Sequence, residues 1–210
     1  QEGRVFFFLF PACHGSVELE YWTRMAKTYL SLGLDPALLD PSSAVFARQR
    51  GYFDGASATI IVFHTGDRTI VRNDRLTVIG TGGGSKWSAL LAGARMAFEQ
   101  ANVEVVLSQD AGPLGLLAWI VASRLHARLF LQDHAGLLAR ASFGGRETLL
   151  RPFSSWLFRQ ADRVRTVSER GKRGLLRAGI EEGRISVLPI RSDLSVFARV
   201  ERKPSVPPMI

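Results

Sequence analysis

Two polar clusters, Ser108-Gln109-Asp110 and Gln132-Asp133-His134, each close an apolar run in the middle of the chain. An imidazole and carboxylates placed this way can orient a substrate hydroxyl or exchange a proton with it near neutral pH. They do so only if the fold delivers them to one open surface. The runs 105–107 and 129–131 lack polar alternation, as strands covered on both faces of a parallel sheet do. Between them Gly112 and Pro113 open a segment of helical period over 114–125, so the stretch 103–136 predicts strand, crossover helix and strand. Ligands of open α/β sheets sit outside the carboxyl ends of the strands. Those ends are where this stretch places Gln109, Asp110, Asp133 and His134.

Two further stretches could meet a phosphate. A strand over 4–10, a turn over 11–16 and a helix over 17–32 ended by Gly33 would set Gly15 and Ser16 at a helix N-terminus, whose free N–H groups attract anions. Glu18 and Glu20 oppose an anion there. The glycine cluster 80–87 leads into a helix over 88–101, with Gly82, Gly83, Ser85 and Lys86 on the same working edge. It is neither a dinucleotide fingerprint, which needs glycine where Ser85 stands, nor a P-loop, which also needs Ser or Thr where Trp87 stands. Flexible substrate loop and plain connector both fit it. Residues 42–55 carry Arg48, Arg50, Tyr52 and Phe53, either on a helical or irregular segment with an Arg-rich face or on a loop at the cleft rim touching an acidic acceptor.

The other elements that must hold these groups are strands at 34–39, 58–63, 76–79, 164–167 and 185–188, a hairpin-like feature at 69–71, and helices over 146–161 and 169–178. Ser168 is the N-cap and Gly179 the stop of the last helix. Arg140 lies in a glycine-bearing loop between the central unit and the helix at 146–161. Repeated strand and helix alternation predicts an α/β fold, a doubly wound and mainly parallel Rossmann-like sheet with helices on both faces. Residues 1–188 form the domain and 189–210 a Pro-rich linker that begins another unit.

Composition narrows the function. Hydrophobic residues at 46% and charged residues at 22% exclude general disorder. No apolar run approaches the roughly 20 residues of a bilayer span. The single cysteine, Cys13, cannot form an internal disulfide, which favours a reducing compartment. The net charge of +8 suits solvated helix faces, or attraction to phosphates or an anionic membrane. Nucleic acid is not expected, because no recognition module or basic-aromatic array is present. The expected location is cytoplasmic, with the Arg-flanked helix at 146–161 suited to peripheral contact with the inner membrane face.

The pieces VVLSQDAGPLGLLAWIVASRL, LFLQDHAG, ADRVRTVSERGKRGL and ISVLPIRSDLSVF together resemble the N-terminal half of family-four glycosyltransferases of the GT-B fold. The resemblance spans 103–197; Cys13-His14-Gly15-Ser16 departs from the usual Gly-Gly turn. It implies an acceptor-side domain facing a second, donor-side domain across a cleft. The full enzyme would be a retaining hexosyl transferase of glycan or glycolipid synthesis. It would move a sugar from a nucleotide-sugar to an acceptor glycan, lipid or small molecule, with neither metal nor other cofactor. His134 and Asp110 would be its catalytic pair, held side by side in one groove. Gly15, Ser16, Gly82, Gly83, Ser85, Lys86, Gln109, Asp133 and Arg140 would be its substrate contacts. The chain reads as that half alone, expected to transfer nothing by itself. The competing reading is a non-catalytic nucleotide- or phosphate-binding domain, or a pseudo-enzyme scaffold.

Overall fold

The structure is a computed structural model and describes residues 28–53, 55–134, 138 and 145–189. The strand expected at 4–10, Gly15, Ser16, Arg140 and the linker beyond 189 lie outside the described residues. Eight strands form one sheet in the order β3-β4-β2-β1-β5-β6-β7-β8. They are β1 (Thr28–Gly33), β2 (Ser57–Val62), β3 (Thr69–Asn73), β4 (Leu76–Gly80), β5 (Val105–Ser108), β6 (Arg128–Asp133), β7 (Arg163–Thr166) and β8 (Ile185–Val187). Every pairing is parallel except β3 with β4, which covers one edge. Successive strands run outward from β1 on one side and from β5 on the other. The switch point, where doubly wound folds open a crevice, therefore lies between the carboxyl ends of β1 and β5.

Among the described residues five helices, α1 (Ala44–Tyr52), α2 (Lys86–Phe98), α3 (Pro113–Leu125), α4 (Gly145–Gln160) and α5 (Glu169–Arg177), lie against the sheet. One face carries Leu30, Leu32, Ile61, Val106, Leu129, Leu131 and Val164, packed on Ala97 of α2, Val121 of α3, Leu157 of α4 and Leu175 of α5. The opposite face carries Tyr29, Ile60, Val62, Val78 and Leu107, covered by Leu38 and by Phe46 of α1. The inner strands β2, β5 and β6 are largely buried on both sides, and this is why their centres read as apolar runs.

Two local expectations are corrected. Residues 28–33 are the central strand, not the end of a helix. The apolar spacing over 17–32 admits either period, and a short run buried on both faces of a sheet settles as strand whatever its local pattern. Residues 34–39 are not a strand: Pro36–Leu39 is a 3-10 turn, started by Asp35, whose Oδ1 accepts from the Ala37 N–H at 3.0 Å. Proline at the first position suits a helical turn and lacks the N–H a ladder needs.

The central unit forms as its residues dictate. Pro113 sits at the first turn of α3 and the helix ends at His126 in the left-handed region, φ 53°. Asp162, between α4 and β7, accepts from the Leu129 N–H at 2.7 Å and ties that turn to the start of β6. Ser168 caps α5 by accepting from Gly171 N–H at 3.1 Å, as its sequence position predicts.

Candidate functional site

Side-chain parity decides which polar groups meet. Residues two apart on a strand share a face. Leu107 and Phe130 pack with the α1-side core, so Gln109, Gln132 and His134 continue along that side. Arg165 pairs with Gln132 in parallel register and joins them. From above, α1 presents Val45, Arg48, Gln49 and Tyr52, spaced i, i+3, i+4 and i+7 on one helix face. These side chains and Asp35 enclose a cleft of about 140 Å³ at the carboxyl ends of β1, β5, β6 and β7, beside the switch point. Gly33, at the end of β1, lies against the Gln109 amide: a Cβ there would stand 3.4 Å from it, an ordinary van der Waals contact.

The cleft is cationic. Arg165 is buried, its guanidinium stacked 5.5 Å from the Tyr52 ring and donating to the Leu188 carbonyl at 3.3 Å. His134 is exposed at the rim. Partial desolvation, then the nearby Arg165 and Arg48 charges, hold its pKa below the ordinary histidine value. The imidazole is thus neutral at pH 7, with one nitrogen free to accept a hydrogen bond and the other to donate.

A larger cavity, about 680 Å³, lies at the amino ends of β2 and β4, lined by Arg50, Asn73, Asp74 and Arg75. That edge is the wrong one for a doubly wound sheet. The Arg75 guanidinium there is already engaged, donating to the Gly55 carbonyl at 3.0 Å. We place the site in the smaller cleft.

Of the residues singled out in the sequence, Gln109 and His134 line this cleft. Asp110 is not among the lining residues, so this cleft does not bring it together with His134. Its Oδ1 accepts from the Gly112 N–H at 2.8 Å and its carbonyl from the Ser108 hydroxyl at 3.0 Å, a turn that launches α3. Asp133 is buried, on the face of Leu129 and Leu131, and its carbonyl accepts from the Thr166 hydroxyl at 3.4 Å. Ser85 and Ser88 form a reciprocal cap for α2, with Ser88 N–H donating to Ser85 Oγ at 3.1 Å and Ser85 N–H to Ser88 Oγ at 3.0 Å. Gly83 bridges Gly66 in antiparallel fashion, and Gly82 takes φ 65° where a Cβ would meet the Arg68 backbone. These glycines build a defined turn that, with Lys86, lies outside the cleft lining.

Sequence reasoning missed Asp35, Gln132 and Arg165. A charged residue between Val164 and Thr166, inside a strand meant for burial, was the signal for Arg165. Arg48 and Tyr52 face the cleft from a helix, not a loop, while Arg50 points to the opposite edge. Among the described residues no cluster of three or more His, Cys, Asp or Glu could hold a metal, and no helix is long and apolar enough to cross a membrane.

An eight-stranded, mainly parallel sheet with a polar cleft at its switch point defines a Rossmann-like α/β domain, with the architecture of one half of a GT-B fold. The model of the glycosyl transferase 4-like domain matches residues 20–191, and the chain belongs to that family. In fold it is similar to sucrose-phosphate synthase from Thermosynechococcus elongatus, at TM-score 0.57 and 12% identity over 81% of this chain and 93% of that one. UDP-GlcNAc 2-epimerase from Methanocaldococcus jannaschii matches at TM-score 0.47 and 20% identity, over 77% of this chain and 45% of that one. The Rickettsia bellii UDP-N-acetylglucosamine 2-epimerase matches at 0.49 and 16%, over 77% and 44%. The chain thus spans less than half the length of these epimerases. No curated protein matches it.

Proposed function

We propose that this domain is the acceptor side of a retaining glycosyltransferase, which moves a sugar from a nucleotide-sugar to an acceptor hydroxyl in glycan or glycolipid synthesis. The observation that carries the reading is the convergence of Gln109, Gln132, His134 and Arg165 in one switch-point cleft of a glycosyl transferase 4-like domain. The nucleotide-sugar is a co-substrate, held chiefly by a facing second domain, and no further cofactor is invoked.

In the reaction the acceptor oxygen bonds to the anomeric carbon while the bond from that carbon to the diphosphate breaks. The hydroxyl proton leaves with the diphosphate oxygen. The residues of the cleft need only bind and orient. His134, neutral and at the rim, donates its imidazole N–H to one lone pair of the acceptor hydroxyl oxygen and so turns the O–H toward the diphosphate oxygen. The Gln109 and Gln132 amides fix the acceptor's other polar groups, and orientation of this kind supplies much of a transfer rate.

The test is turnover of the full-length protein with a panel of labelled nucleotide-sugars, repeated for His134→Ala. Transfer to an acceptor by the wild type, reduced about 10²-fold or more by the substitution, is expected from the loss of the hydrogen bond that orients the hydroxyl. Binding of nucleotide without transfer to any acceptor would favour a non-catalytic binding domain instead.

A further inference from the structure

Arg165 is 9% exposed, within a strand that is buried on both sides of it. A guanidinium in such a place gives up most of its hydration, and proteins ordinarily compensate with a carboxylate. Among the described residues there is none. Arg165 forms no ion pair with any of them; its contacts there are the Leu188 carbonyl and the Tyr52 ring, and its buried Nε has no hydrogen-bond partner among them. Arg48 enters the same cleft from α1 and makes no hydrogen bond or ion pair with any described residue. Asp35 is the one acid among the described lining residues, and its Oδ1 is committed to the Ala37 N–H. Two guanidiniums without an ion-pair partner among the described residues, one of them desolvated, therefore share a space with three amides, an imidazole and that single carboxylate.

We propose that this cleft is a phosphate subsite: the acceptor carries a phosphate monoester, held by Arg165 and Arg48 while its reacting hydroxyl turns toward His134. The assignment of that phosphate to the acceptor rests on the transferase reading above; the anion subsite itself does not. Two arguments select phosphate. A monoester brings two charges and three terminal oxygens, matching two cations and the convergent donors of Arg165, Arg48, Gln109 and Gln132, whereas a carboxylate has one charge and two oxygens. At about 140 Å³ the cleft takes one group of a ligand, since whole-ligand pockets run to roughly 300–1,000 Å³. Beside these, the His134 pKa is lowered first by desolvation and then by the Arg165 and Arg48 charges, so both guanidiniums act on the group at the rim.

The donor's diphosphate shares this chemistry, so the experiment separates the two sources. Full-length protein is titrated calorimetrically with inorganic phosphate, UDP and acetate at fixed ionic strength, as wild type, Arg48→Gln and Arg165→Gln. Expected are phosphate binding weakened at least tenfold by Arg48→Gln and lost in Arg165→Gln, acetate binding far weaker, and phosphate binding undisturbed by saturating UDP. Arg48 is exposed and without partners among the described residues, so its variant reads the site even if Arg165→Gln folds poorly. Absence of phosphate binding, equal binding to Arg48→Gln, acetate as tight as phosphate, or displacement by UDP would each overturn the proposal. Phosphate binding without any sugar transfer would sink the transferase reading and leave the anion subsite standing. Transfer to uncharged acceptors at a rate indifferent to Arg48→Gln would do the reverse.

Discussion

A buried cation that waits for its partner should make the empty protein less stable than it could be. Replacing Arg165 with Met tests this directly. The substitution removes one long charged hydrogen bond, 3.3 Å to Leu188, worth about 1.5 kcal/mol. It also removes the stacking on Tyr52, a ring 43% exposed, worth roughly 0.5–1 kcal/mol. Against these losses stands the desolvation of an unpaired guanidinium, several kcal/mol in real proteins. Because Arg165 borders an open cleft we take about 3–4 kcal/mol for that penalty. The thioether chain keeps the apolar packing of the arginine stem. The balance favours Met by about 1 kcal/mol, or ~2–4 °C in midpoint for a chain of this size. Thermal unfolding followed by circular dichroism in phosphate-free buffer reads the shift. Adding inorganic phosphate should then raise the wild-type midpoint and leave the variant unmoved, by mass action on the folded state. A variant that melts several degrees below wild type in phosphate-free buffer would refute the reasoning, since it would make Arg165 a structural tie between β7 and the end of β8.

Ser85→Ala should lower the midpoint by ~2–4 °C, from loss of about 1 kcal/mol of capping at α2, with nucleotide-sugar affinity unchanged; a loss of affinity at full stability would make Ser85 a ligand contact. Gly93→Ala should destabilise by about 1–3 kcal/mol as overpacking, because a Cβ there runs into the Phe63 ring; urea unfolding measures it, and a neutral result would mean α2 rides looser on β2. His134 should titrate below the ordinary histidine value, and Arg48→Gln should move that titration upward by removing a cation; histidine NMR signals against pH show both. The sign for stability follows: with the folded pKa depressed, the unfolded chain binds more protons, so this group's contribution is present above the ordinary histidine pKa and declines as pH falls toward the folded value.

Much of the architecture was legible because it is local. Residues 105–107 and 129–131 are apolar without alternation, and Gly112-Pro113 starts a helix wherever it stands, so β5, α3 and β6 follow from neighbours in the chain. Ser168 as a cap needs only the residues after it. Residues 28–33 were misread because so short a segment, with only Tyr29, Leu30 and Leu32 apolar, carries too few turns of either period, and only burial on both faces makes it the central strand. Within the site, the strand ends at Gln109 and His134 were readable as the working edge. Arg165 and Gln132 were not, since nothing local tells a polar residue inside a strand whether its face is packed or open.

What the chain by itself determined is the alternation of strands and helices, the edge at which polar groups emerge, and an excess of arginine. Tertiary structure decided which of those groups meet. Parity sent Asp110 and Asp133 to the α3 side and Gln109 and His134 to the α1 side, and the strand order set Arg165 beside Gln132 under Arg48. The reason is range: hydrophobic period and capping act over three or four residues, whereas the cleft joins β1, α1, β5, β6 and β7, whose partners stand far apart along the chain and become neighbours only when the sheet closes its order.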